Sequence, residues 1–80
     1  MNEKITAVCT DMINGKLSFE AFYDKLTNLC EDTRTDEDTA CLLEDVLMEL
    51  EMISSETKSK KALNDTAKEC AERILKELSK

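Results

Sequence analysis

The chain has few of the residues that interrupt helices or carry out acid–base chemistry. Its 80 residues include no proline, no histidine, no tryptophan and a single glycine, Gly15. Because proline and glycine mark most turns in sheet proteins, their scarcity favours a few long helices joined by short polar loops. Histidine is the commonest general base and a common zinc ligand, so its absence argues against both roles. We therefore expect no enzymatic activity, no metal site and no cofactor.

Long apolar runs and metal-binding cysteine spacings are also missing. No stretch approaches the about 20 apolar residues that span a bilayer, and the N-terminus leads into an amphipathic segment rather than a secretory signal.

The four cysteines are Cys9, Cys30, Cys41 and Cys70, and none forms a CxxC pair. We interpret them as reduced thiols that act as small apolar side chains in a cytoplasmic protein. A framework of two disulfides is the alternative.

Apolar residues recur with the period of an α-helix in four segments. We expect Gly15 to end the first helix, Ser18 to cap the second, and Thr35 with Asp38 to form a capping box for the third. The predicted helices run from about Asn2 to Asn14, from Phe19 to about Cys30, from about Asp36 to Ile53, and from either Glu56 or Lys60 to near Ser79. Four amphipathic helices with short links predict one all-α domain over residues 1–80, an antiparallel four-helix bundle.

The negative charge of the chain is concentrated in one stretch. Residues 31–51 contain nine acids and one base, Arg34, whereas the whole chain carries a net charge of −7. The part of this stretch that begins at Asp32 does not fit a calcium-binding EF-hand loop, because Glu37 stands at the sixth position, where glycine is needed. The acidity therefore calls for another explanation than a bound metal ion.

A helical wheel of the third helix separates the acids into two rows opposite the predicted core stripe. Glu37, Glu44 and Glu51 form one row, and Asp38, Asp45 and Glu49 form the other. Between the rows lie Cys41, Met48 and Met52, which we call the apolar ridge. An adaptable apolar centre with a charged rim is the layout of a protein-binding surface. The candidate binding residues are therefore Asp36, Glu37, Asp38, Cys41, Glu44, Asp45, Met48, Glu49, Glu51 and Met52. A solvated helix face with a few stray apolar side chains is the alternative.

The sign of this surface argues against direct contact with nucleic acid and indicates a basic protein as partner. We expect no membrane contact, because no apolar run is long enough to span a bilayer. Carboxylates can take the place of phosphates in the groove of a nuclease, and their field accelerates encounter in a salt-sensitive way. We therefore predict an inhibitor of a basic nuclease. A monomer is expected, with a homodimer as the alternative.

The N-terminal half resembles a known family. An amphipathic helix followed by Asn-Gly-Lys and Leu-Ser-Phe-Glu-Ala-Phe, from Ile5 to Phe22 and continuing to Leu29-Cys30, is similar to the opening of immunity proteins of the colicin D type and of contact-dependent inhibition systems. The resemblance covers about 25 residues and implies a cytoplasmic helical bundle that blocks a toxin, often an RNA-cleaving domain, with acidic residues. It assigns no individual contact residue.

Two other functions fit the same surface. One is a phage-encoded inhibitor that mimics nucleic acid, such as an anti-CRISPR protein. The other is a small helical adaptor or regulator that docks or self-associates through Met48 and Met52. A toxin gene beside the gene for this protein would favour an immunity protein, whereas a phage neighbourhood would favour the first alternative.

Overall fold

The computed structural model describes residues 2–79 and contains four helices joined by short loops. They are α1 (Asn2–Ile13), α2 (Phe19–Glu31), α3 (Glu37–Glu56) and α4 (Lys60–Leu78). The described residues contain no strand, so the predicted all-α bundle is confirmed. Their radius of gyration is 11.7 Å, close to the about 11.6 Å expected for a compact chain of this length. None of the helices within residues 2–79 is both long and apolar enough to cross a membrane.

Three of the helices begin with a side chain that accepts a backbone N–H. Ser18 accepts from Ala21 at the start of α2, and Ser59 accepts from Ala62 at the start of α4. The predicted cap of α2 is confirmed, and the start of α4 is fixed at Lys60. The cap predicted for α3 was wrong by one residue: the cap is Asp36, because the Thr35 hydroxyl instead donates to the Leu29 carbonyl at 2.6 Å. This bond ties the loop to the end of α2.

The helix ends follow from local chemistry. Gly15, directly after α1, has a φ of +77°, a left-handed conformation that glycine adopts without a steric clash. The prediction that α3 ends at Ile53 was wrong, since the helix continues to Glu56. The hydroxyls of Ser54 and Ser55 donate to carbonyls three residues earlier in α3. These bonds satisfy the serine side chains inside the helix, so the serines do not end it.

The arrangement of the helices leaves one face of α3 without a neighbour. α1 packs on α4 and α2, and α3 packs on α2 and α4, while α2 and α4 also touch across the bundle. Within residues 2–79 the backbones of α1 and α3 do not approach each other. α3 is therefore held on two flanks, by α2 and by α4, and its remaining face points outward.

The core is built from the stripes that the sequence predicts. Its largest fully buried side chain is Phe22, and α3 contributes Leu43, Val46 and Leu50, with Thr39 nearly as buried. On α3 these residues lie on the side opposite the apolar ridge. Burying apolar surface on one face of α3 thus fixes which residues face outward.

Candidate functional site

The outward face of α3, with its cap, carries all ten predicted binding residues. Each of them is exposed, from Asp36 before the helix to Met52 near its end. The two acidic rows lie on opposite flanks of this face: Glu51 contacts α2, and Glu49 contacts α4. The structure thus brings the predicted residues together on one surface, but it gives them different local environments.

Asp36 has a structural role in this surface. Its Oδ1 atom accepts the backbone N–H of Thr39 at 3.0 Å, which caps α3. Hydrogen bonding to Thr39 also lowers the pKa of the Asp36 carboxyl, because the bonds favour the ionised form. The carboxylate of Asp36 therefore stabilises the start of α3 and has less freedom to meet a partner.

The row on the α2 flank ends in a contact with a tyrosine. The Tyr23 hydroxyl of α2 donates to Glu51 Oε1. The hydrogen bond to Glu51 is the main reason that the pKa of Tyr23 is raised, since loss of the phenol proton would break the bond and place two anions together. Glu51 is thus held against α2 beside the apolar ridge.

The row on the α4 flank ends in a salt bridge. Arg73 Nη1 lies 3.0 Å from Glu49 Oε1, and the Cys70 thiol donates to Glu49 Oε2 at 3.6 Å. The bond from Arg73 lowers the pKa of the Glu49 carboxyl, and burial raises the pKa of the Cys70 thiol to about 11. Both oxygens of Glu49 therefore have partners within the bundle.

Four acids in the N-terminal half of α3 have no such partners. We call Glu37, Asp38, Glu44 and Asp45 the acidic quartet. No hydrogen bond or salt bridge joins their carboxylates to any other side chain in residues 3–79. The quartet consists of two adjacent pairs separated by seven residues, or about 10.5 Å along the helix axis. Its negative charge is therefore available to an outside cation.

The loop before α3 adds less free charge than its sequence suggests. Arg34, the single base of the acidic stretch, donates from its backbone N–H and its guanidinium to the carboxylate of Asp32. These bonds lower the pKa of the Asp32 carboxyl and turn the side chain back onto the loop. The strongest uncompensated negative charge therefore lies on α3 itself.

The C-terminal half of the same face is apolar at its centre. Met48 and Met52 are 62% and 60% exposed, and they are the large hydrophobic side chains that the described chain leaves exposed. A shallow groove of about 400 Å³ lies beside them between α3 and α4. Its walls are Leu42, Asp45, Met48, Glu49, Met52 and Arg73. An apolar side chain of a partner can enter this groove and cover both methionines.

All four cysteines are free thiols. Cys9 and Cys70 are buried, Cys30 is half-buried and donates to the Ala40 carbonyl at 3.6 Å, and Cys41 is exposed on the apolar ridge. No group of three or more potential metal ligands occurs in the part of the chain that the structure describes. Chemical modification is therefore directed first to Cys41.

Sequence patterns did not reveal the partners of the acidic rows. Tyr23, Cys70 and Arg73 each bind an acid of α3 from another helix. The one available signal was the position of Tyr23 at the margin of the α2 stripe, where a long amphipathic side chain can reach a neighbouring helix.

Comparison of the chain with protein-family models, with curated proteins and with solved structures found no match. A function is therefore proposed from the outward face of α3 alone.

Proposed function

We propose that this protein is an inhibitor, of the immunity-protein type, that binds a basic nuclease toxin through the outward face of α3. The observation that carries the proposal is the acidic quartet: four exposed carboxylates on one helix, none of them joined to a cation in residues 3–79. Glu37 and Asp38 lie in the first turn of α3, where the helix dipole also favours them. Glu44 and Asp45 lie beyond that turn, where clustered like charges add no stability to a monomer but attract a cationic partner.

The geometry supports inhibition by occupation of a groove. A nuclease cleft is lined by lysines and arginines that bind successive phosphates, and the two pairs of the quartet offer negative charge at two points along a rigid helix. Because α3 is held by α2 and α4, its backbone is ordered before binding, so the entropy lost on binding is limited to the side chains of the quartet. The quartet would compete with the nucleic acid substrate for the same cations.

The test begins with the gene adjacent to that of this protein, which the proposal expects to encode a basic nuclease toxin. Co-expression with the toxin should protect cells, and the purified protein should stop RNA cleavage by the toxin. Replacing Glu44 and Asp45 by lysine reverses the charge of one of the two pairs of the quartet and should abolish protection while helicity is retained. The matched control replaces Asp65 and Glu69, two exposed acids of α4, by lysine. This control makes the same change in net charge and should leave protection intact.

Two results would refute the proposal. The first is that the Glu44→Lys, Asp45→Lys protein inhibits as well as the wild type. The second is that the α4 control loses inhibition equally, because net charge rather than the quartet would then decide binding. Raising the salt concentration should weaken the wild-type complex, mainly by slowing association.

A second candidate function rests on the exposure of Met48 and Met52. Exposed methionines are adaptable contact residues, and an adaptor could dock or self-associate through them. Light scattering across a salt series separates the two functions. A homodimer that strengthens with salt favours the adaptor, because added salt screens the repulsion between the acidic faces and favours apolar contact.

A further inference from the structure

The outward face of α3 carries a seven-residue repeat that is independent of its core stripe. Positions spaced four, three and four residues apart hold Cys41, Asp45, Met48 and Met52, which is the spacing of the a and d positions of a coiled coil. All four residues are exposed. The line that they form extends over eleven residues, or about 16 Å of helix axis. We call this line the outer seam.

The flanks of the outer seam are acidic in the same register. Glu37, Glu44 and Glu51 recur every seven residues on one side, and Glu49 and Glu56 are also seven residues apart on the other. They correspond to the e and g positions of a coiled coil, where charged residues determine which helices pair. Glu51 and Glu49 are held beside the methionines by Tyr23 and Arg73, so the rim of the seam is ordered before a partner arrives.

From this pattern we infer that the outer seam docks a single basic amphipathic helix of the partner, packed side by side on α3. The inference rests on the proposed function and specifies which part of the basic partner makes the contact. A helix fits because its apolar residues recur with the spacing of the seam, and one of them can enter the groove beside Met48 and Met52. Lysines or arginines at its flanking positions would meet the acidic rows.

The charge of the outer seam favours a basic helix over a second copy of the same chain as its binding partner. Side-by-side pairing of two α3 helices would bring glutamates against glutamates along both flanks, which destabilises a coiled coil. It would also bury Asp45 of each copy in an interface where the nearby cation, Arg73, already binds Glu49. A basic helix removes both difficulties, because a lysine or arginine can meet Asp45 and the flanking acids.

The experiment uses a fluorescent synthetic peptide of about three heptads, with leucine at the a and d positions and lysine at the e and g positions. Its lysines discourage self-pairing. One control peptide has the same composition in scrambled order, and a second carries glutamate in place of lysine. Binding to the 80-residue chain is followed by anisotropy, helix formation by circular dichroism, and shielding of the seam by the rate of Cys41 alkylation.

We expect the patterned peptide to bind at least about tenfold more tightly than the scrambled peptide, to gain helix and to slow Cys41 alkylation, while the glutamate peptide does not bind. Replacing Met48 and Met52 by glutamine should weaken the patterned peptide by about tenfold. This variant should bind the scrambled peptide with the same affinity as the wild type, which would show that its electrostatic attraction is unchanged.

The outcomes separate this inference from the proposed function. If the scrambled and patterned peptides bind equally, or if neither binds, helix docking is overturned, while the toxin-protection test still decides whether a basic nuclease is the target. If the patterned peptide binds without slowing Cys41 alkylation, the outer seam is not the site and the inference also fails.

Discussion

The assignment of an inner and an outer face of α3 can be tested by two substitutions five residues apart. Leu43 is 0% exposed and Met48 is 62% exposed, although both are large apolar residues of the same helix. Replacing Leu43 by alanine removes core contacts and leaves a cavity, at a cost of about 2–5 kcal/mol. Replacing Met48 by alanine removes little buried surface, and its effect should stay within about 0.5 kcal/mol.

These values are large enough to measure in a domain of this size. A chain of 80 residues has a total stability of about 4–12 kcal/mol, so Leu43→Ala consumes a large share of it. One kcal/mol shifts Tm by about 4–8 °C in such a domain, so a loss of about 2–5 kcal/mol should lower Tm by about 8–40 °C. Urea and thermal unfolding, followed by far-UV circular dichroism, give both quantities.

The comparison also has a clear refuting result. If Met48→Ala destabilises the protein as much as Leu43→Ala does, Met48 belongs to the core and the outer seam does not exist as described. Alanine has a higher helix propensity than methionine, so a slight stabilisation by Met48→Ala remains consistent with exposure. An unchanged urea m-value for both proteins would show that the unfolded states are comparable.

Three further predictions concern single contacts. Ser18→Ala should lower the free energy of unfolding by about 1 kcal/mol, whereas Ser18→Asp, which keeps an acceptor, should lower it much less in urea unfolding. Arg73→Gln should cost at most about 1 kcal/mol near neutral pH, because the salt bridge to Glu49 is half exposed. Arg73 lowers the pKa of Glu49 in the folded protein, so the salt bridge stabilises the fold at pH values above the unfolded-state pKa of Glu49. The stability difference between the wild type and Arg73→Gln should therefore vanish as the pH falls through the folded-state pKa, which acid titration of the two proteins would show. In the native protein, iodoacetamide should label Cys41 first and spare Cys9, whose pKa is raised to about 12 by burial, as mass spectrometry of peptides would show; equal labelling would contradict the burial of Cys9.

The fold could be predicted because its determinants are periodic. Each stripe of apolar residues has one side that must be buried, and Ser18 and Gly15 mark helix limits by local chemistry alone. The errors arose where two local choices compete. Thr35 and Asp36 can both cap α3, and the outcome depends on whether the Thr35 hydroxyl finds another acceptor, which the carbonyl of Leu29 on α2 provides. The sequence pattern does not contain that contact.

The candidate site was predictable in outline for the same reason, since the outer face of α3 is defined once its core stripe is known. Which acids of this face bind a neighbouring helix, and which do not, was not predictable. Glu49 and Glu44 look alike in the sequence, yet Glu49 is bound by Arg73 while Glu44 makes no salt bridge or hydrogen bond within residues 3–79. The difference depends on how α4 lies against α3, and helical periodicity does not fix that rotation.

This division explains how one helix can serve both the fold and a partner. In the C-terminal half of the outer face, Tyr23 and Arg73 hold Glu51 and Glu49. In the N-terminal half, the acidic quartet has no such bonds. Glu37 and Asp38 lie in the first turn of α3, where the helix dipole favours negative charge, whereas Glu44 and Asp45 lie beyond that turn and add repulsion without this benefit. The fold therefore depends on the inner face, on the bound acids and on the first-turn acids, so changes at Glu44 and Asp45 should leave it intact. Substitutions at Glu44 and Asp45 would therefore change the charge offered to a partner at little cost to folding.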